Sequence, residues 1–101
     1  MPSSRRLIIT PEAADDLADV VQYGAETWGV EQGSRYAEEI WATLDELSRF
    51  PEIGRGLRGT TPGLRRHLVG QHVIYYLVRE DAVVVRRLVH QRQIVSNDSS
   101  S

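Results

Sequence analysis

The segment LRRHLVGQHVIYYLVREDAVVVRRLVH, residues 64–90, decides the fold of this 101-residue chain. It divides into apolar runs at residues 64–69, 72–78 and 82–90, which are separated by two short turn sequences. Runs rich in valine, isoleucine and tyrosine between turn residues are typical of β-strands, and connections this tight join antiparallel neighbours. The segment therefore predicts a three-stranded antiparallel meander.

The first half of the chain has a helical period instead. Thr10-Pro11-Glu12 is typical of a helix start, with a hydroxyl N-cap, a proline at the first helical position and an acidic first turn. Apolar residues then recur at steps of three and four, and Gly29 is placed to end the helix. A second apolar stripe predicts another helix over about residues 31–49. The short connection makes these two helices an antiparallel hairpin.

Two further segments complete the order of elements. Residues 5–10 predict a short strand that joins the sheet at its edge or centre, because an isolated strand leaves its backbone unpaired. Residues 51–63 are rich in glycine and proline, and we predict a loop without helix or central strand there. The order β-α-α-β-β-β predicts an α+β fold in which the helical hairpin packs on one face of an antiparallel sheet. We expect one domain over residues 1–95 and a polar, disordered tail at 96–101.

Composition removes several classes of site. The chain has no cysteine, which excludes disulfides, thiolate metal sites and cysteine nucleophiles. Its three histidines lack the spacing of a zinc motif, so we expect neither a metal nor a cofactor. The longest apolar run near the N-terminus, residues 7–9, is too short for a signal peptide or a membrane span. A cytoplasmic protein without membrane contact is the expectation.

The net charge of −2 conceals a strong asymmetry along the chain. Residues 1–48 contain three arginines and ten acidic residues, whereas residues 49–95 contain nine arginines and three acidic residues. All basic residues are arginine. The basic half can attract an anionic partner. The predicted helices are acidic and form no helix-turn-helix, so we expect no sequence-specific DNA binding by this chain alone.

Four stretches taken together resemble the ParE/RelE toxin superfamily, and ParE most closely. They are LIITPEAADDLADVVQYGAETWG, SRYAEEIWATLDELSRFPEIGR, PGLRRHLVGQHVIYYLV and VVVRRLVHQR. The resemblance implies the toxin of a type II toxin–antitoxin pair, restrained by a ParD-like antitoxin in a hetero-oligomer. ParE-like members are associated with poisoning of DNA gyrase, whereas RelE-like members cleave mRNA in the ribosomal A site. The shared fold does not choose between them.

The residues favour action by contact over catalysis. RNA cleavage requires cations around the scissile phosphate and a group that moves protons. RelE-like sequences usually supply lysines and often a tyrosine near the C-terminus, but this chain has no lysine and its last tyrosine is Tyr76. The expectation is a non-enzymatic gyrase poison. In the ribonuclease alternative, Arg65 or Arg66 meets Arg87 and His90 on one sheet face, with Glu46 or Glu52 nearby. An inactive homologue that only binds antitoxin is the third possibility.

The arginines and aromatic residues give the candidate binding sites. Adjacent residues on a strand point to opposite faces, so one arginine of the pair 65–66 and one of the pair 86–87 should meet a carboxylate under the helices. The expected target-binding and antitoxin-binding residues are Arg58, Arg65, Arg66, Arg87, His90, Arg92 and Trp41, the last beside an apolar groove for a partner helix. A structural alternative for His90 is hydrogen bonding to the backbone or to the 51–63 loop. The other helical aromatics, Tyr23, Trp28 and Tyr36, are expected in the core.

Overall fold

The computed structural model describes residues 5–93 and shows a helical hairpin packed on one face of a five-stranded mixed sheet. The elements in chain order are β1 (Arg6–Ile9), α1 (Pro11–Trp28), α2 (Val30–Arg49), a 3₁₀ turn (Pro51–Ile53), β2 (Arg55–Gly56), β3 (Leu64–Val69), β4 (His72–Val78) and β5 (Ala82–His90). The α+β architecture and the β3–β4–β5 meander are confirmed with the predicted strand bounds. The predicted tail at 96–101 lies outside the described residues.

Local signals set the ends of the helices. The side chain of Thr10 accepts a hydrogen bond from the Ala13 N–H at 3.1 Å, which is the predicted N-cap of α1. Gly29 ends α1 at φ = +91° and donates its N–H to the Ala25 carbonyl. The same glycine is the only residue between α1 and α2, which forces the two helices into a hairpin.

The sheet order is β1-β5-β4-β3-β2. β3, β4 and β5 pair antiparallel, as predicted, whereas β1 runs parallel to β5 at the edge of the sheet. A parallel neighbour requires a crossover connection, and the chain between β1 and β5 contains both helices and strands β2, β3 and β4. The sheet is therefore mixed, with one parallel pair added to the predicted antiparallel set.

The prediction that residues 51–63 form only a loop is wrong. Pro51–Ile53 forms a 3₁₀ turn, and Arg55–Gly56 pairs with β3 as an edge strand. The hydroxyl of Tyr76 fixes the turn by donating to the Pro51 carbonyl at 2.7 Å. A glycine is tolerated in a two-residue edge strand because such a strand needs few hydrogen bonds and little packing.

The core lies between the hairpin and one sheet face. Alternation along β4 and β5 points Ile74, Tyr76 and Val85 at the helices. Opposite them, the helices contribute a stripe of fully buried residues, Ala13, Ile40, Leu44 and Leu47. No helix within residues 5–93 is long and apolar enough to cross a membrane.

A β-bulge interrupts the alternation of β5. Tyr75 lies opposite Arg87 and Tyr76 lies opposite Val85, which leaves Arg86 without an opposed residue. Val85 and Leu88 consequently both pack in the core although they are three positions apart. Simple alternation, on which the prediction for the pair 86–87 was based, therefore does not assign the faces of Arg86 and Arg87.

Candidate functional site

The sheet places the three ribonuclease candidates in two separate regions. Arg65 lies opposite Tyr76, whereas His90 lies opposite His72. Tyr76 and His72 are four positions apart on β4, a separation of about 13 Å at the rise of an antiparallel strand. Arg87 and His90 share one cavity, and Arg65 lies at the other end of the sheet. The predicted meeting of Arg65 with Arg87 and His90 is therefore wrong.

Arg65 is bound by backbone rather than by a carboxylate. Its guanidinium donates to the carbonyl of Gly54 and, at 3.4 Å, to that of Glu52. The 3₁₀ turn directs these carbonyls toward β3, so the carboxylate partner predicted for this arginine is not needed. Beside it, Tyr76 is 0% exposed, and its burial raises the pKa of the Tyr76 hydroxyl. This end of the sheet is a structural junction between the turn and the core.

Arg87 has the predicted carboxylate partner on α1. Its Nε lies 2.7 Å from Asp16 Oδ2 and its Nη2 lies 3.2 Å from Oδ1, a bidentate arrangement. Asp16 Oδ2 also accepts the Leu88 N–H at 2.9 Å. β1 pairs with β5 only as far as Val85. The Leu88 amide that Asp16 binds therefore lies past the end of β1. The hydrogen bond and the charge of Asp16 raise the pKa of Arg87.

Tyr36 and His72 join α2 to the β3–β4 turn. The Tyr36 hydroxyl accepts the Gln71 N–H at 3.0 Å, lies 3.1 Å from the Val69 carbonyl, and lies 2.7 Å from His72 Nδ1. All of these groups are satisfied if the hydroxyl donates to Val69 and His72 carries its proton on Nδ1. His72 is only 7% exposed. Burial, and then the charge of His90, lower the pKa of His72.

His90 uses both of its ring nitrogens within the protein. Nδ1 accepts the Arg92 N–H at 3.0 Å, and Nε2 lies 3.3 Å from Gln71 Oε1. The backbone contact is one that the structural alternative anticipated, but the second partner belongs to the β3–β4 turn instead of the 51–63 loop. Among residues 5–93, no three His, Asp or Glu side chains are grouped so as to hold a metal ion.

Aromatic rings connect this cluster to the open end of the hairpin. Successive ring pairs from Tyr23 through Trp28, Tyr36 and His72 to His90 have centroid separations of 6.1, 5.7, 5.6 and 5.1 Å. Tyr23 is 54% exposed and Trp28 is 37% exposed, so their predicted place in the core is wrong. The buried positions of α1 are Ala13, Leu17, Val20 and Gly24, and Tyr23 lies beside that stripe. A cavity of about 360 Å³ separates α1 from the end of β5, and Asp16, Tyr23, His72, Arg87 and His90 contribute to its walls.

The remaining predicted contact residues are dispersed. Trp41 is 48% exposed on α2, next to the fully buried Ile40. Arg58 lies in the connection between β2 and β3, Arg66 lies opposite Arg55, and Arg92 follows β5. Arg92 adjoins His90, whereas Arg58 and Arg66 lie toward the β2 end of the sheet. Asp16, Tyr36 and His72 were not predicted as site residues, because their partners are distant in the chain and leave no local signal.

Comparison with known proteins places this arrangement in a family. Residues 7–95 match the family of the ParE toxin of the type II toxin–antitoxin system parDE. Toxin ParE1 of Mycobacterium tuberculosis is 31% identical over 96 residues, which cover 94% of this chain and 98% of the relative.

Two solved structures share the fold. A chain of the chromosomal ParDE system from P. aeruginosa superposes with a TM-score of 0.73 at 19% identity, covering 86% of this chain and 96% of that one. A chain of the RelBE2 toxin–antitoxin complex from Mycobacterium tuberculosis gives 0.67 at 21% identity, covering 87% and 99%. The family match spans nearly the whole chain and agrees with the curated relative, so this protein belongs to the ParE toxin family of type II toxin–antitoxin systems.

Proposed function

We propose that this toxin inhibits DNA gyrase by direct contact, holding the cleaved gyrase–DNA complex, and that a ParD-like antitoxin neutralises it. The match to the ParE family over residues 7–95 carries the proposal. The separation of Arg65 from Arg87 and His90 adds to it, because RNA cleavage requires its cations and its proton-transfer group around one phosphate. Both nitrogens of His90 are already engaged, which leaves no free base at that position in the neutral form.

The proposed contacts with gyrase and antitoxin lie on several surfaces of the molecule. They involve Arg58, Arg65, Arg66, Arg87, His90, Arg92 and Trp41. The exposed ring of Trp41 offers an apolar contact for the amphipathic helix of an antitoxin. The RelBE2 complex and the ParDE system have this fold in toxin–antitoxin pairs, which supports an antitoxin partner for this chain.

Gyrase supercoiling of plasmid DNA tests the proposal directly. Purified protein is added to gyrase, and the products are treated with detergent and protease. We expect linear DNA to accumulate and added antitoxin to prevent it. Substitutions Arg66→Ala and His90→Ala should reduce the linear product. Arg35→Ala is the matched control because Arg35 is exposed on α2 and forms a surface ion pair with Glu31 at 3.5 Å. Normal supercoiling without linear DNA contradicts the proposal.

One observation favours the ribonuclease alternative as a second candidate. The cavity beside α1 brings Arg87 together with two imidazoles and the carboxylate of Asp16. Cleavage of ribosome-bound mRNA that His90→Ala abolishes would establish this activity. Antitoxin binding with neither linear DNA nor cleaved mRNA would identify an inactive homologue.

A further inference from the structure

One cross-strand row of polar residues crosses the sheet, and three of its members, Arg55, Arg66 and Tyr75, lie on the face opposite the helices. Arg55 on β2 lies opposite Arg66 on β3, Arg66 lies opposite Tyr75 on β4, and Tyr75 lies opposite Arg87 on β5. Because Tyr76 packs in the core, its neighbour Tyr75 belongs to the other face. Strands are about 4.8 Å apart, so these four positions span about 14 Å. We call them the arginine–tyrosine row.

In the free protein, the positive charges of Arg55 and Arg66 in this row are not neutralised. Arg55 and Arg66 are directly opposed, and opposed like charges destabilise a sheet. Within the described chain, neither guanidinium has a carboxylate at ion-pair distance. Residues 53–79 and 82–93 contain no aspartate or glutamate at all. An external anion on this row would relieve the repulsion.

Apolar rows border the arginine–tyrosine row on both sides. The flanking positions on the same face are Leu64, Leu77 and Val84 on one side and Leu68, Val73 and Val89 on the other. A half-buried aromatic ring beside arginine, set on an apolar surface, is the combination with which proteins hold single-stranded nucleic acid, and here Tyr75 lies opposite Arg66. Arginine forks bind phosphate oxygens, and any base can stack on the ring.

We propose that the arginine–tyrosine row binds a single-stranded nucleic acid. Arg55 and Arg66 contact neighbouring phosphates, and Tyr75 stacks on one base. Arg87 ends the row at β5, where its guanidinium is paired with Asp16 of α1 and makes no contact with the nucleic acid strand. A duplex offers no free base face to Tyr75, so the row favours a single strand.

The charge distribution of the molecule limits the direction from which a polyanion approaches. The helical layer is acidic and the strands are basic, so a polyanion is repelled from the hairpin and drawn to the opposite face. This binding goes beyond the gyrase proposal and does not depend on it, because it requires only the chain itself and a nucleic acid strand.

Fluorescence anisotropy with labelled oligothymidylate and oligouridylate of about 12 nucleotides tests the inference on the full chain. Two phosphate contacts predict a slope of about −1.4 for log K against log salt concentration, and Arg66→Ala should reduce the slope to about −0.7. Arg66→Lys keeps the charge and should restore the slope. Tyr75→Leu should weaken binding about tenfold, whereas Tyr75→Phe retains the ring and the affinity. Arg35→Ala, which removes the same charge from α2, should have no effect.

Several outcomes would overturn the inference. Absence of binding at about 50 mM salt is one, since phosphate contacts are strong at low salt. Unchanged affinity and slope in Arg66→Ala is another. Equal binding of duplex DNA would refute the preference for a single strand. Competition by polyglutamate as strong as that by the unlabelled oligonucleotide, with Tyr75→Leu unaffected, would assign the row to an acidic protein segment instead. Binding of either DNA or RNA, with the expected variant effects, supports it.

Discussion

Tyr75 and Tyr76 show how an offset of one position in a strand changes the environment of a residue. The Tyr76 ring lies in the core, and its hydroxyl donates to the Pro51 carbonyl at 2.7 Å. Tyr75 lies on the opposite face, half-buried between Arg66 and Arg87. Two chemically identical side chains therefore have different consequences when the hydroxyl is removed.

Removing the buried hydroxyl should cost stability. Tyr76→Phe is expected to lower the free energy of unfolding by about 1–2 kcal/mol, because the buried Pro51 carbonyl loses its donor. Tyr75→Phe is the matched control and should change the free energy by less than about 0.5 kcal/mol. Urea denaturation of both variants measures the difference. Equal losses in the two variants would contradict this account of the 3₁₀ turn.

Some side-chain partners follow from the sequence and others do not. An acidic helix above a strand rich in arginine predicts an ion pair, and Arg87 forms one with Asp16. Arg65 finds carbonyl groups instead, because the direction of a backbone turn is not encoded in a charge pattern. Tyr36 and His72 are 36 positions apart, and only the assembled fold brings them together.

At the scale of elements, local signals were sufficient where an element is defined by its own residues. The cap at Thr10, the stop at Gly29 and the strand bounds of the meander all follow from neighbouring side chains. The pairing of β1 was not predictable, since its place depends on a crossover of more than half the chain. β2 was missed because glycine and proline are typical of loops, and only contact with β3 makes Arg55–Gly56 a strand.

The packing of α1 on α2 gives a prediction at this scale. A Cβ built on Gly33 would lie 2.8 Å from the Ala25 nitrogen and 2.9 Å from the Gly24 carbonyl carbon. These are backbone atoms, so the helices must separate to admit a methyl group. Gly33→Ala should therefore lower the free energy of unfolding by about 1–3 kcal/mol, despite the better helix propensity of alanine.

The matched control for this substitution is Gly56→Ala. Its added Cβ meets nothing within 4 Å, and we expect a change below about 0.5 kcal/mol. Thermal unfolding separates the two variants, since about 1 kcal/mol shifts Tm by roughly 4–8 °C in a domain of this size. A Gly33→Ala variant as stable as the parent would show that the hairpin does not depend on this close approach.

At the scale of the whole molecule, an acidic helical layer rests on a basic sheet, and polar contacts join the two. Asp16 and Arg87 connect α1 to β5, and Tyr36 and His72 connect α2 to the β3–β4 turn. The second contact contains a buried imidazole, and burial and then His90 lower the pKa of this His72 ring. The stability of the entire fold is thereby linked to the protonation of one side chain.

The sign of this linkage follows from the direction of the pKa shift. Burial, and then His90, lower the pKa of His72 below the ordinary value of 6.5, so the unfolded chain takes up a proton before the folded chain does as the pH falls. The stabilisation from neutral His72 is complete above pH 6.5 and is lost as the pH falls from there toward the folded pKa. The steepest loss from one proton is about 1.4 kcal/mol per pH unit.

Urea denaturation between about pH 7.5 and pH 5.5 measures this loss, in a window chosen to bracket the ordinary histidine pKa. The control is His72→Asn, which places an amide near the position of Nδ1 and retains a partner for Tyr36 but does not titrate. We expect the parent to lose more stability across this interval than the variant. His67 and His90 are present in both proteins, so the difference between the two profiles reports His72 together with its interaction with His90. Parallel profiles would show that the buried imidazole does not couple folding to pH.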